Sequence, residues 1–302
     1  MISFIIPTFN SENTIERTIE SILGQVQTCL EYEIIVVDDG STDNTKEIMQ
    51  KYFNNEKVKY YYKENSGVAD ARNVGVNKSK GNYVIFVDSD DYISKTLLYD
   101  IEKYINNGID IIKWNVTFVD SNKNEISKPN SIEFETTSGE DGFNKLFGKD
   151  DLIDCLWKYA FKKSLIIEFP SGTYHEDFAT IPLMIVSSST MVSIANREYY
   201  YVQSENSIMR NNDTQKEKKK IVDKLNHYDN LIEKSKSLKI AQKTKENIQI
   251  FATNSMLTVL KDLSDENKKY YIDELKKRDI SKYIKARNLK QFVKKILIKL
   301  KY

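Results

Sequence analysis

The sequence predicts an α/β protein, a mostly parallel sheet flanked by helices, followed by an all-helical C-terminal extension. Three observations carry this expectation. Apolar runs of strand type alternate with helix-period segments through the first hundred residues. Two of those runs end in clusters of aspartate, where a parallel sheet collects its polar functional groups. From Thr214 onward the pattern is helical, lysine-rich and nearly free of Gly and Pro.

The first strand is "SFIIP" (3–7), and Ser11 to Leu23 reads as a helix with Ile15, Ile19, Ile22 and Leu23 on one face. "YEIIVVDDGS" (32–41) is a buried strand that ends in acids and Gly. Thr42 or Asp43 would cap the next helix, with Ile48, Met49 and Tyr52 facing inward. "KVKYYYK" is a strand, "GVADARNVGVNKS" a helix and "GNYVIFVDSDD" the fourth strand. A helix over Leu97 to Asn106 leads to the strand-like "GIDIIKWNVTFV". Segment 120–140 is polar and predicts a hairpin or mobile loop, and 143–168 is helical and then strand-like. "HEDFATIPLMIV" starts a helix with acids in its first turn, and "REYYYVQSEN" is the last strand. The expected division is 1–213, with halves 1–100 and 101–213, and a helical region 214–302.

With 302 residues, 40% hydrophobic and 29% charged, the chain can build a substantial core. Cys29 and Cys155 are too few for a disulfide framework and point to a reducing compartment. The start "MISFIIPTFN" lacks a basic n-region and is interrupted by Pro7, so a strand is expected there and no signal peptide. The net charge of +1 hides an asymmetry. Residues 214–302 carry 24 Lys and Arg against 11 Asp and Glu, and the first 213 carry 21 against 33.

"IFVDSDD" puts three carboxylates, Asp88, Asp90 and Asp91, within four positions after an apolar run. Crowded carboxylates repel one another unless a cation shares the site. Asp38-Asp39 alone is equally well explained as a cap for the following turn. Two acidic clusters at strand ends of one sheet instead favour a hard divalent cation, Mn²⁺ or Mg²⁺, held with phosphate and water as its other ligands. Receiver domains and haloacid-type phosphatases also place aspartates at strand ends. The former want a late Lys and the latter Asp-x-Asp-x-Thr near the start, and neither pattern fits. Glycine fingerprints for phosphate loops or dinucleotides are absent.

Taken together, "SFIIPTFNSENTIERTIESILGQ", "YEIIVVDDGSTDNT", "ENSGVADARNVGVNKSKGNYVIFVDSDDY" and "GTYHEDFAT" resemble, in order and spacing, the inverting family 2 glycosyltransferases. The resemblance is specific over 1–100, weaker over 100–210 and absent from the tail. It implies the Rossmann-like GT-A fold and a nucleotide-diphospho-sugar donor, a UDP-sugar by preference. Pro7, Thr8, Phe9, Asn10 and Glu12 would line the nucleoside pocket, and Asp39 would accept from the base. Gly67 and Arg72 would approach base and diphosphate, with the arginine fork suited to phosphate. Asp88, with Ser89 beside it, would contact ribose or sugar. Asp90 would be the metal ligand, and Asp91 would lie on the rim. Asp177 would be the general base, with Glu176 able to share that role; helix starts also favour acids for ordinary reasons. His175 would touch diphosphate or acceptor. Trp157 and Lys158 match a family segment that would border the acceptor, where Trp157 either stacks on an acceptor sugar or lies in the core.

The implied acceptor is a hydroxyl of a glycan, glycoprotein or lipid-linked sugar, in the cytoplasm or at the inner membrane face. "NLKQFVKKILIKLKY" (288–302) places an apolar stripe among lysines. It would lie on an anionic membrane, pack on its own domain, or self-associate into a homo-oligomer. No nucleic-acid-binding pattern is present. Two other readings are weighed. A catalytically silent GT-A partner subunit that keeps the nucleotide site is one, and the intact set of Asp39, Arg72, Asp90 and Asp177 argues against it. A sugar nucleotidyltransferase would need a Gly-rich loop that "PTFNSEN" does not supply.

Overall fold

The computed structural model describes residues 1–26, 28–129, 131–150, 152–203, 214–260 and 263–284. β1 (Ile2–Thr8), α1 (Ile15–Leu23), β2 (Tyr32–Asp38), α2 (Thr45–Met49), β3 (Val58–Tyr62), α3 (Val68–Lys78) and β4 (Tyr83–Phe86) follow the predicted alternation. The four strands pair in parallel in the order β3-β2-β1-β4. Chain direction across the sheet reverses beside β1, which puts a crevice at the strand C-termini. Next come β5 (Tyr92–Ile93), α4 (Leu97–Asn106), β6 (Ile111–Val119), β7 (Glu125–Ser127), β8 (Phe134–Thr137) and α5 (Gly139–Leu146). β9 (Tyr159–Lys162), α6 (Glu176–Ser187) and β10 (Met191–Val202) complete the α/β part. The sheet continues from β4 as β9-β6-β10-β5, with β9 antiparallel to both neighbours and β10 parallel to β6.

Every residue of β1 and β2 is buried, as befits strands covered on both faces. Ile2, Phe4 and Ile6 pack with Ile15, Ile19 and Ile22 of α1 and Leu97, Leu98 and Ile101 of α4. Ile5 points the other way, into a cluster that includes Phe143 of α5 and Phe178 and Ile181 of α6. The C-terminal helices α7 (Thr214–Ser237), α8 (Gln242–Val259) and α9 (Asp265–Lys277) add Leu225, Leu231, Ile248, Met256 and Tyr271 to that same cluster. Residues 288–302 lie outside the described residues, and so does any test of the stripe expected there.

Several boundaries differ from expectation for identifiable reasons. α1 starts at Ile15 rather than Ser11, because Ser11 N donates to Thr45 Oγ1 (2.8 Å) and Glu12 N to Asp43 Oδ2 (3.0 Å). Those donors stitch the loop after β1 to the loop after β2. The polar 120–140 segment forms β7 and β8, which pair antiparallel with β6 and β10. α5 begins at Gly139, capped by Ser138 Oγ, which accepts from Asp141 N (3.1 Å). β10 starts at Met191 and runs through register shifts between Ser193 and Tyr199, so its first half lacks clean alternation.

One buried carboxyl in β10 lies outside the candidate site. Glu198 is 2% exposed and lies close to the carboxylate of Asp100 of α4, and its Oε2 has no hydrogen-bond partner. Burial, then the contact with Asp100, pushes its pKa from 4.5 up to about 8. The folded value lies above the unfolded one, so the unfolded state gives up this proton first as pH rises. The resulting penalty on folding starts near the unfolded value and grows until about pH 8. Glu198→Gln should therefore stabilise the protein by about 1–3 kcal/mol at pH 7.5 and by almost nothing at pH 4. Thermal melts of both proteins at the two pH values test this. An equal difference in Tm at both would refute it.

Candidate active site

The first half of the site is built at the ends of β1, β2 and β4. Pro7 and Thr8 are buried at the end of β1, while Phe9 and Asn10 are exposed. Asn10 adopts a left-handed backbone (φ 49°), which Asn tolerates, and its Oδ1 accepts from Thr42 N (2.9 Å). Glu12 Oε2 accepts from Asn44 N (3.0 Å) and Nδ2 (2.8 Å). These polar residues thus hold two loops together across the crevice. Ser89 is tied to the same loop through a 2.8 Å hydroxyl pair with Ser11.

Asp38 and Asp39 have separate tasks. Asp38 is fully buried and accepts from Ser41 N (2.8 Å) and the Tyr60 hydroxyl (2.6 Å), which makes it a turn-holding residue. Asp39 Oδ1 accepts from Lys63 Nζ (2.5 Å) and Ser66 N (3.0 Å), and Oδ2 from Gly67 N (2.8 Å). Oδ2, with one donor, retains a lone pair that a ligand N–H can use. Gly67 has φ of +103°, a conformation that lets the chain turn from this contact into α3.

Beyond β4 the three acids separate. The side chain of Asp88 is partly exposed, and Asp90 is exposed at the mouth of the crevice. Although the residue is exposed, partial desolvation of its carboxyl and then the negative charge of Asp88 raise the Asp90 pKa, while Arg17 of α1 opposes the shift. Arg17 also donates to the Asp90 carbonyl. Asp91 corrects the rim expectation, for it is 1% exposed. It accepts from the Tyr199 hydroxyl (2.7 Å) and Val202 N (2.7 Å), which fastens the acidic loop to β10. The sequence pattern could not reveal this, because the partner lies 108 residues away.

Lys158 is corrected as well, and Trp157 takes the core alternative. Trp157 is 6% exposed and stacks on Tyr199, with ring centroids 4.6 Å apart. It supports the tyrosine that holds Asp91 and presents no face to an acceptor. Lys158 is buried in an ion pair with Asp150 (2.5 Å), which Lys113 approaches at 3.3 Å.

Arg72 of α3 joins the two acidic motifs. It is 7% exposed, with NH2 on Asp88 Oδ1 (3.2 Å) and NH1 on Glu176 Oε1. Its Nε is buried without a partner. Glu176 is thereby committed to an ion pair, and Asp177 is left as the freer carboxylate. Burial and then the Glu176 charge push the Asp177 pKa up to about 7, against the pull of Arg72. His175 precedes the helix in a left-handed conformation (φ 63°). Burial, then the charges of Lys224 and Lys220, drives its pKa down to about 3, so it stays neutral near pH 7.

Two contributors had no sequence signal. Asp154, in the turn before Trp157, has its pKa raised to about 6 by burial and then by Asp177. Lys224 of α7 is buried near both. A single lysine in a helix full of them does not stand out.

Among the described residues, no group of three His, Cys, Asp or Glu converges to hold a metal unaided. Asp90 with Asp88 nearby nonetheless suits a divalent cation that takes one or two carboxylate oxygens and completes its shell from phosphates and water.

The fold and site define an α/β nucleotide-type crevice whose strand-end acids face a second acidic segment across an arginine. The chain belongs to the glycosyl transferase family 2, whose model matches residues 3–166. It is 34% identical over 218 residues to the Staphylococcus aureus (strain N315) poly(ribitol-phosphate) beta-N-acetylglucosaminyltransferase TarP, covering 67% of this chain and 62% of the relative. It is 42% identical over 106 residues to TarS of S. aureus (strain Mu50), a protein of the same description. That match covers 34% of this chain and only 18% of TarS. The crystal structure of S. aureus TarS 1-349 in complex with UDP-GlcNAc superposes with a TM-score of 0.71 over 94% of this chain and 81% of that one, at 23% identity. That likeness establishes the GT-A architecture.

Proposed function

We propose that the protein transfers a sugar from a UDP-sugar to a hydroxyl of a glycan, glycoprotein or lipid-linked acceptor by single displacement with inversion. The observation that carries the reading is Asp177. Its carboxyl has a pKa of about 7, and it directly follows the glutamate that Arg72 ties to Asp88. A base with a pKa near the working pH combines availability with driving force. Asp177 would take the acceptor proton as the acceptor oxygen bonds to the anomeric carbon. The bond from that carbon to the diphosphate oxygen breaks, and its electron pair leaves with UDP.

Asp39 would accept a base N–H through Oδ2, and Thr8, Phe9, Asn10 and Glu12 would border the nucleoside. Arg72 would offset charge gathering on the diphosphate while keeping Glu176 in place. Asp90 would hold Mn²⁺ or Mg²⁺, which when bound neutralises charge on the departing diphosphate. The relatives' printed activities support an N-acetylglucosamine donor, so UDP-GlcNAc is the first to try. Because UDP-sugars are made in the cytoplasm, the reaction is assigned there, on residues 1–213, with the described helices α7, α8 and α9 packed against them. No helix among the described residues is long and apolar enough to cross a membrane.

Calorimetric titration with UDP, with and without Mn²⁺, tests the donor site. Wild type should bind at least tenfold more tightly with Mn²⁺, and Asp90→Ala should lose that gain, a change of about 1.4 kcal/mol or more. UDP binding that is indifferent to Mn²⁺ in both proteins would refute the metal assignment. No UDP binding at all would refute the donor.

A further inference from the structure

The basic C-terminal helix reaches the candidate base. Lys219 of α7 donates to Gly172 O (2.7 Å), and Asp223 accepts from Tyr174 N (3.1 Å). His227 hydrogen-bonds Thr173 Oγ1 (3.1 Å). Three residues of one helix face thus strap the 172–174 segment immediately before His175, Glu176 and Asp177. On the same face, Lys224 is 6% exposed, with its ammonium 5.1 Å from the ring centroid of Phe178, the residue after Asp177. Among the described residues, the ammonium makes no ion-pair contact with Asp154 or Asp177, yet both carboxylates act on it. A buried ammonium held close to two carboxylates is costly unless their charges compensate one another.

We propose that Lys224 is a positioning residue of the transfer reaction, a cation by which helix α7 adds to Arg72 in favouring the Asp177 carboxylate beside Asp154 while the 172–174 strap fixes its place. This rests on the reading of Asp177 as general base. The charged surroundings are few. Glu176 on its own helix and Arg72 from α3 face Asp177. Lys158 and Lys224 act on Asp154, and Lys220 and His227 lie with Lys224 around His175. Removing the Lys224 charge therefore takes away a stabiliser of the Asp177 anion, and removing the Asp154 charge takes away an opponent.

Carbon-detected NMR titration of aspartate carboxyls in the full chain, with Asp177 assigned from Asp177→Asn, reads this directly. Lys224→Met should raise the apparent pKa of Asp177 by about one pH unit. Lys224→Arg should restore it, and Asp154→Asn should lower it. The acid limb of kcat/KM for UDP-GlcNAc turnover should move the same way in each variant, with UDP affinity by calorimetry unchanged.

A titration that stays put in a folded Lys224→Met protein overturns the proposal. If that variant does not fold, the Asp154→Asn and Lys224→Arg titrations decide, and absence of the downward shift in Asp154→Asn overturns it. A carboxyl pKa that moves while the acid limb does not removes Asp177 as the base. That outcome defeats the functional reading and Lys224's part in the reaction, but leaves the charge coupling measured.

Discussion

Replacing Asp177 with asparagine is expected to lower kcat for sugar transfer about a thousandfold, while UDP binding in the presence of Mn²⁺ stays within about twofold. Asparagine keeps the size of the side chain and a carbonyl oxygen for Phe178 N, which Asp177 Oδ1 accepts at 2.8 Å, so the helix start is preserved. What it loses is the capacity to take a proton. In wild type the same group sets the pH dependence. With a pKa of about 7, Asp177 is mostly protonated at pH 6, so kcat/KM should fall about tenfold for each unit below that value. The asparagine variant should retain a low rate without this limb. A variant within tenfold of wild type, or one whose acid limb persists, would show that another group accepts the proton.

The second large effect is on stability. Arg72→Met should destabilise the fold by about 3–5 kcal/mol, because it leaves Glu176 as a buried charge with its cation removed. Asp88 contributes less, since its side chain is 30% exposed and water can take over part of its solvation. A double variant, Arg72→Met with Glu176→Leu, should recover much of the loss, as removing both members of a buried pair leaves no orphan charge. Urea unfolding of the four proteins of the cycle gives the coupling. A single-variant loss below about 1 kcal/mol, or a double variant that simply sums the two singles, would contradict the buried bridge. The arginine also connects α3 with the ends of β4 and α6, so the single variant should blunt UDP binding as well.

The first hundred residues were legible because β1, β2 and β4 are buried along their whole length and read as unbroken apolar runs. β1 is followed by a helix whose inward stripe of Ile15, Ile19 and Ile22 is equally plain. Asp39, Arg72 and Asp90 could be singled out because the segments around them follow a family pattern. Composition alone would have left Asp38 and Asp39 indistinguishable, and they differ through the Tyr60 hydroxyl and the Gly67 amide, neither of which periodicity reports. The second half was harder for a physical reason. β9 enters antiparallel between β4 and β6, β5 is two residues long, and β10 is interrupted by shifts in register, so none has a clean period. Asp91 and Lys158 were misplaced, and the two readings of Trp157 could not be separated, because their surroundings come from β10 and from Asp150. Long-range partners of this kind turn an apparent rim residue or sugar platform into interior scaffolding.

The strap of α7 across the 172–174 segment bears on how such a chain can change over generations. A glycosyltransferase might be imagined as a conserved engine with an interchangeable appendage that is free to diverge. Here Asp223, Lys219 and His227 clasp the backbone and threonine hydroxyl just ahead of the second acidic motif, so the appendage and the engine share a seam. Of the three contacts, only the one between His227 and Thr173 joins two side chains, so that pair is the one expected to change together. Exchange of the C-terminal region between relatives is then constrained by this helix surface and by α8, whose Thr244 and Asn247 hydrogen-bond Glu140 and Asn144 of α5.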